Sequence, residues 1–214
     1  MAYKVKEIFY TLQGEGNQAG RPSVFLRFTG CNLWTGREKD RANAICQFCD
    51  TDFRGTDGVN GGVFKKATDL AALVKSLWAP SGFHAGSRPY IVCTGGEPLL
   101  QLDIKLVKAL HEKGFEIAVE TNGTIPVPPG IDWVCMSPKA NTKIVVTSGQ
   151  ELKLIFPQPG AEPELYEHLG FQHFYLQPMD NAFREYNTQL TLHYCLEHPL
   201  WKLSLQTHKL LGIP

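Results

Sequence analysis

Three of the six cysteines fall inside twenty residues, in the stretch CNLWTGREKDRANAICQFCD from 31 to 50. Cys46 and Cys49 make a C-x-x-C pair, and fourteen residues separate Cys31 from Cys46. Thiolates gathered this way hold zinc or an iron–sulfur cluster. A closed structural zinc site needs four ligands. No histidine lies between residues 20 and 60, and the next one downstream is His84. Cys93 and Cys135 sit inside apolar runs, where a buried thiol is the plain expectation. Three cysteines without a fourth suit a cubane cluster that keeps one iron open, although a C-x-x-C taken alone favours a zinc knuckle.

TGGEP (94–98) is the second chemical feature. Gly95 and Gly96 allow a ligand to approach backbone N–H and C=O groups with no Cβ in the way. Glu97 could accept from an ammonium, and Pro98 fixes the exit toward a helix. Taken alone, the same letters describe an ordinary turn.

These groups need a scaffold. The 214 residues suffice for one domain with a real core. Lys plus Arg equals Asp plus Glu at 21 each, so no overall field attracts nucleic acid or membrane. No stretch nears the roughly 20 apolar residues of a membrane span. A cytoplasmic protein is expected, and its cysteines then read as metal or redox groups rather than disulfides.

Short β-branched runs alternate with amphipathic segments. SVFLRF (23–28), YIVCT (90–94), FEIAVET (115–121), IDWVCMS (131–137), ELKLIF (151–156) and FYLQP (174–178) read as strands. Residues 68–78 read as a helix with a Thr N-cap. Leu102, Leu106, Val107 and Leu110 share a helix face that ends at Gly114, and a further helix is expected over 182–197, before a strand near 200–206. No helix is legible between 131 and 156. The pattern predicts an α/β fold: an open partial barrel of about six mostly parallel strands, as one domain over 1–214 with an insertion at 32–45.

Ligands in such folds gather at the carboxyl ends of strands. The cysteine loop, TGGEP, ETNG (120–123), SPK (137–139) and QPMD (177–180) all fall there. They outline one site.

A cysteine triad after one strand and GGEP after the next resembles the radical S-adenosylmethionine superfamily. YTLQGEG (10–16), FLRFTGCNLW (25–34), CDT (49–51), TGGEP, ETNG, SPK, QPMD and LSLQTHKLLGIP (203–214) together resemble its 7-carboxy-7-deazaguanine synthase family. The likeness runs from residue 10 to the end, and misses mainly the insert and the variable 54–88 region. The superfamily's usual first spacing is three residues. Loop-closure entropy grows only logarithmically, so the longer loop costs about 1–2 kcal/mol more. The insert is expected to form a small helix over the cluster.

The resemblance implies a [4Fe-4S] cluster on Cys31, Cys46 and Cys49, with S-adenosylmethionine on its open iron and a 5′-deoxyadenosyl radical as the oxidant. It implies ring contraction of 6-carboxy-5,6,7,8-tetrahydropterin to 7-carboxy-7-deazaguanine with loss of ammonia, toward queuosine and related deazapurines. S-adenosylmethionine contacts carry over to Phe48, Cys49, Asp50, Gly96, Ser137, Pro138, Lys139, Gln177, Pro178, Met179 and Asp180. Pterin contacts carry over to Leu12, Gln13, Gly14, Glu15, Arg27, Thr94, His208 and Pro214. Thr51 matches a Mg²⁺ ligand, where the residue types alone would favour Asp50. Glu120 and Asn122 face the same site without an assigned role. A homodimer and an electron donor such as a flavodoxin-type protein are also implied. A glycyl-radical activase shares the triad and GGEP, and a non-catalytic zinc module shares only the cysteines.

Overall fold

The computed structural model describes residues 2–78 and 88–214, so His84 lies outside the described residues. Its sheet is built on β1 (Tyr3–Leu12), β2 (Pro22–Phe28), β3 (Gly62–Phe64), β4 (Tyr90–Gly95), β5 (Glu116–Thr121), β6 (Trp133–Met136), β7 (Ser148–Phe156), β8 (Gly170–Pro178) and β9 (Trp201–Leu203). The helices are α1 (Ala67–Leu77), α2 (Ile104–Glu112), α3 (Arg184–Glu197) and α4 (Thr207–Leu211). Strand order is β3-β1-β2-β4-β5-β6-β7-β8-β9, one open sheet. β2 and β4 to β9 run parallel, and β1 pairs antiparallel with both β2 and β3. The α/β partial barrel is therefore as expected, with nine strands where about six were legible.

Alternation along the strands sorts two faces. Val24, Leu26, Ile91, Cys93, Ile117 and Val119 share one buried cluster with Leu70, Val74, Leu106 and Leu110 of α1 and α2. Their sequence neighbours Phe25, Tyr90, Val92 and Ala118 pack with Trp133 on the opposite face. Strands covered on both sides read as unbroken apolar runs, as YIVC does. At the amino ends of β4 and β5, Arg21 binds both oxygens of Glu116, at 3.0 and 2.6 Å. Its guanidinium lies 3.7 Å from the Tyr90 ring centre. That plug closes the end away from the cysteines.

α1 begins at Ala67, one residue before the expected Thr cap, and Lys66 precedes it without a side-chain cap. α2 is the capped helix: Asp103 Oδ1 accepts from Lys105 N at 3.1 Å and Leu106 N at 3.0 Å. The 131–156 segment carries no helix, and β6 passes to β7 through a loop. No described helix is long and apolar enough to cross a membrane.

Candidate active site

The carboxyl ends of the parallel strands converge on a cavity of about 480 Å³. β2 leads into the cysteine loop, and Cys31, Cys46 and Cys49 line one part of the wall. β4 delivers Thr94, Gly95 and Gly96, β5 delivers Glu120 and Asn122, and β6 leads to Ser137 and Lys139. β7 supplies Lys153, β8 supplies Gln177 to Asp180, and the segment after β9 supplies Gln206, His208, Lys209 and Pro214. Leu12, Gln13, Gly14, Glu15, Arg27, Phe48, Asp50 and Thr51 complete the wall. Of the residues singled out in the sequence, Pro138 and Glu97 are not part of that wall.

The GGEP turn is locked onto the cysteine loop. Glu97 N donates to Gly30 O at 2.9 Å. A Cβ on Gly96 would stand 2.3 Å from Gly30 O and 2.7 Å from Cys31 Cβ. Glycine is required by this packing. Glu97 itself corrects the expectation of an ammonium acceptor. Its buried carboxylate accepts from Leu99 N at 3.0 Å, Thr121 Oγ1 at 2.8 Å and Asn122 N at 2.8 Å. It ties β4 to β5, and burial raises its pKa against those hydrogen bonds.

All six cysteines are free thiols. Burial raises the pKa of Cys31 and Cys46; Glu97 and Cys49 add to it at Cys31, while Lys139 opposes it at Cys46. Burial pushes Cys93 up to about 12, as befits an inert core thiol. Among the described residues no three His, Cys, Asp or Glu side chains converge tightly enough for a single metal ion. Among the described residues a tetrahedral zinc site lacks its ligand set. Cluster ligands instead bind separate irons and stand farther apart, so three thiols on one wall fit a [4Fe-4S] group.

Opposite the cysteines lies an ionic network. Lys153 is buried and pairs with Glu15, while Glu120 Oε1 stands 3.4 Å from the same ammonium. Gln206 Nε2 donates to Glu15 Oε1 at 3.0 Å, Gln13 Nε2 to Glu120 Oε1 at 3.1 Å, and Thr94 Oγ1 to Glu120 Oε2 at 3.2 Å. Burial alone would raise the Glu15 pKa, but Lys153, Gln206 and His208 together lower it to about 2. Burial likewise opposes the Lys153 charge, and Glu120 and Glu15 outweigh it, raising the pKa. Both groups are held ionised.

Arg27 Nε donates to Glu7 Oε1 at 2.8 Å across the β1–β2 ladder, where the two residues are register partners. Lys139 Nζ donates to Ser137 O at 2.6 Å and Ser137 Oγ at 2.8 Å, and burial lowers its pKa. Lys209 bridges Asp50, at 2.7 Å, and Asp180. α4 is seated by Thr207, whose N and Oγ1 both donate to Gly14 O at 2.9 Å. Thr11 Oγ1 donates to Pro214 O at 3.0 Å.

Sequence reasoning missed Lys153, Lys209 and α4. For Lys153 a signal existed: ELKLIF puts Glu151, Lys153 and Ile155 on one strand face and Leu152 and Leu154 on the other. The Lys209 bridge had none, because Asp50 and Asp180 come from distant loops.

No family model matches the chain. It is 62% identical over 214 residues to a 7-carboxy-7-deazaguanine synthase from Caulobacter vibrioides, covering 100% of both chains. A protein of the same name from Bordetella pertussis is 61% identical, again over 100% of both. The crystal structure of QueE from Escherichia coli superposes with a TM-score of 0.71 at 27% identity, covering 96% of this chain and 94% of that one.

Proposed function

The chain belongs to the 7-carboxy-7-deazaguanine synthase family, and on that premise we propose how its own residues carry the family's reaction. That reaction is the radical S-adenosylmethionine ring contraction of 6-carboxy-5,6,7,8-tetrahydropterin to 7-carboxy-7-deazaguanine, with loss of ammonia, in queuosine biosynthesis. Cys31, Cys46 and Cys49 would hold the cluster. Phe48, Asp50, Gly96, Ser137 to Lys139 and Gln177 to Asp180 would hold the S-adenosylmethionine. When bound, the two groups supply one-electron reduction and hydrogen-atom abstraction.

The remaining work belongs to the chain. Glu7 holds Arg27 at Nε, so the two Nη atoms are the edge that takes the substrate carboxylate as a paired fork. Glu15, kept anionic by Lys153, and Glu120 beside it accept hydrogen bonds from pterin N–H groups. Leu12 to Gly14 and Thr94 complete the pterin seat, and α4 covers it with His208 and Pro214. Thr51 would supply one oxygen to a Mg²⁺ ion, which would add positive charge beside the substrate. The observation that carries this reading is the convergence of motifs from residue 12 to residue 214 on one cavity.

The protein acts in the cytoplasm as a single-domain homodimer reduced by a flavodoxin-type donor. Exposed Phe183, Tyr186, Leu196, Leu210 and Leu211 on and beside α3 and in α4 support a protein-facing surface.

Anaerobic turnover of iron-reconstituted protein with reductant, S-adenosylmethionine, Mg²⁺ and 6-carboxytetrahydropterin tests the reading by mass spectrometry. Carboxydeazaguanine in excess over net deoxyadenosine is expected. Deoxyadenosine without deazapurine would reopen the substrate, and neither product from a protein with an intact cluster would overturn the reading.

A further inference from the structure

The Cys46–Cys49 turn has little holding it in place. Among the described residues, no backbone–backbone hydrogen bond involves residues 47 to 52. Cys46 is tied at its start, where its N–H donates to Leu33 O at 3.4 Å. Beyond that point side chains take over: Gln47 Nε2 donates to Ala42 O at 3.0 Å, Lys209 pairs with Asp50 at 2.7 Å, and Arg41 holds two carbonyls of the turn. Arg41 Nη1 donates to Gln47 O at 2.9 Å and to Cys49 O at 3.1 Å.

Arg41 is itself fixed from two sides. Its Nε donates to Glu38 Oε1 at 2.8 Å and Oε2 at 2.9 Å within the 3-10 segment Glu38–Asn43. Its guanidinium lies 4.1 Å from the Trp34 ring centre. Trp34 is buried edge-on against Phe53, with ring centres 5.6 Å apart, and its Nε1 donates to Arg37 O at 3.2 Å. The insertion between Cys31 and Cys46 is thus a small folded unit, and Arg41 is its only side chain that reaches the Gln47 and Cys49 carbonyls.

We propose that Arg41 is a positioning residue for the metal-binding turn. It pins the carbonyls on either side of Phe48, so that Cys46 and Cys49 are arranged before metal arrives, and it leaves a permanent positive charge beside the Cys49 carbonyl. The inference rests on reading the three cysteines as cluster ligands. A guanidinium serves where an ammonium would not, because its fixed planar donors can hold two carbonyls, stack on an indole and pair with a carboxylate together. The longer spacing then brings its own ordering device, which offsets part of the entropy of closing a sixteen-residue loop.

The test uses Arg41→Ala, Arg41→Lys and Glu38→Gln. Amide hydrogen exchange at Ile45 and Cys46, the hydrogen-bonded amides that enter the turn, is measured on metal-free protein, and iron loss to a chelator and the cluster midpoint potential on loaded protein. Arg41→Ala should speed both exchange and iron loss by at least about tenfold, the scale of one hydrogen bond from a charged donor. It should also move the potential to more negative values, since a nearby cation is gone. Glu38 holds Arg41 without touching the turn, so Glu38→Gln should speed exchange and iron loss less than Arg41→Ala does. Arg41→Lys should fall between, with one carbonyl still reached. If Arg41→Ala folds poorly, the lysine variant decides, and wild-type values in it overturn the proposal. Wild-type exchange and iron loss in Arg41→Ala overturn it as well. A wild-type protein that takes up no iron would defeat the cluster reading instead, and exchange would still decide what Arg41 holds.

Discussion

Lys153 and Glu15 form a buried ion pair across 138 residues of sequence, with Glu120 3.4 Å from the same ammonium. Two elements that share no hydrogen-bonded ladder, the loop after β1 and the middle of β7, are joined inside the cavity wall. The pair sets the charge of the surface that the proposed pterin would meet.

Lys153→Met should therefore cost about 3–5 kcal/mol, because two carboxylates lose their buried counter-charge. The pH dependence carries a sign. The Glu15 pKa is lowered to about 2 in the folded protein. Its stabilisation is present above the ordinary carboxylate range and is lost as pH falls through that range toward about 2. Without Lys153 the largest influence opposing burial is gone, and the Glu15 pKa rises. The stability gap between wild type and Lys153→Met, read from urea midpoints, should narrow on acidification. A constant gap would show that the pair does not set the charge of Glu15.

Gly14→Ala should unseat the C-terminal helix. The added Cβ would stand 2.2 Å from His208 Nδ1 and 2.9 Å from His208 Cβ. Amide exchange over residues 207–214 should rise about tenfold, the loss of one to two capping-scale hydrogen bonds. Adding His208→Ala to Gly14→Ala should restore protection only in part, because the 2.2 Å ring contact goes while the 2.9 Å contact with Cβ stays. Unchanged protection in the single variant would mean that α4 is not held at Gly14.

Arg27→Lys should lower kcat/KM about a hundredfold or more, mostly through KM, because a lysine offers no paired fork and no Nε for Glu7. Glu7→Gln should cost less than about tenfold, since it weakens only the hold on Arg27. Substrate dependence under anaerobic turnover measures both. A lysine variant within about threefold of wild type would remove Arg27 from the carboxylate role.

Chelating Mg²⁺ should slow turnover while leaving S-adenosylmethionine binding, measured by equilibrium dialysis, unchanged. Thr51→Val should reproduce that pattern at ordinary Mg²⁺ and recover partly at high Mg²⁺. Turnover that ignores Mg²⁺ would sink the role given to Thr51.

Much of this protein is legible in its letters because the physics involved is local. Strand alternation in SVFLRF and ELKLIF, the helical spacing of Leu102, Leu106, Val107 and Leu110, and the stop at Gly114 depend on neighbours a few residues away. The stop is real, with Gly114 at φ 84°. The positions of the cysteines, GGEP, SPK and QPMD at strand ends follow from that local reading, since a parallel sheet gathers its carboxyl ends at one rim.

Other features depended on which distant groups meet. β3 is three residues long and carries too little pattern to stand out, whereas the equally short β9 falls inside the strand expected near 200–206. Glu97 reads as a free acceptor until Thr121 and Asn122 come to it from β5. Gly14 and Gly96 read as turn residues, yet His208 and Cys31 are what exclude a side chain there. The charge on Lys153 is affordable only because two carboxylates from remote segments arrive beside it. Spacing and periodicity determined the elements and the rim on which they end. Only the packed structure decided which side chains face ligands and which face each other, because burial and pairing energies are set by contacts that no local window contains.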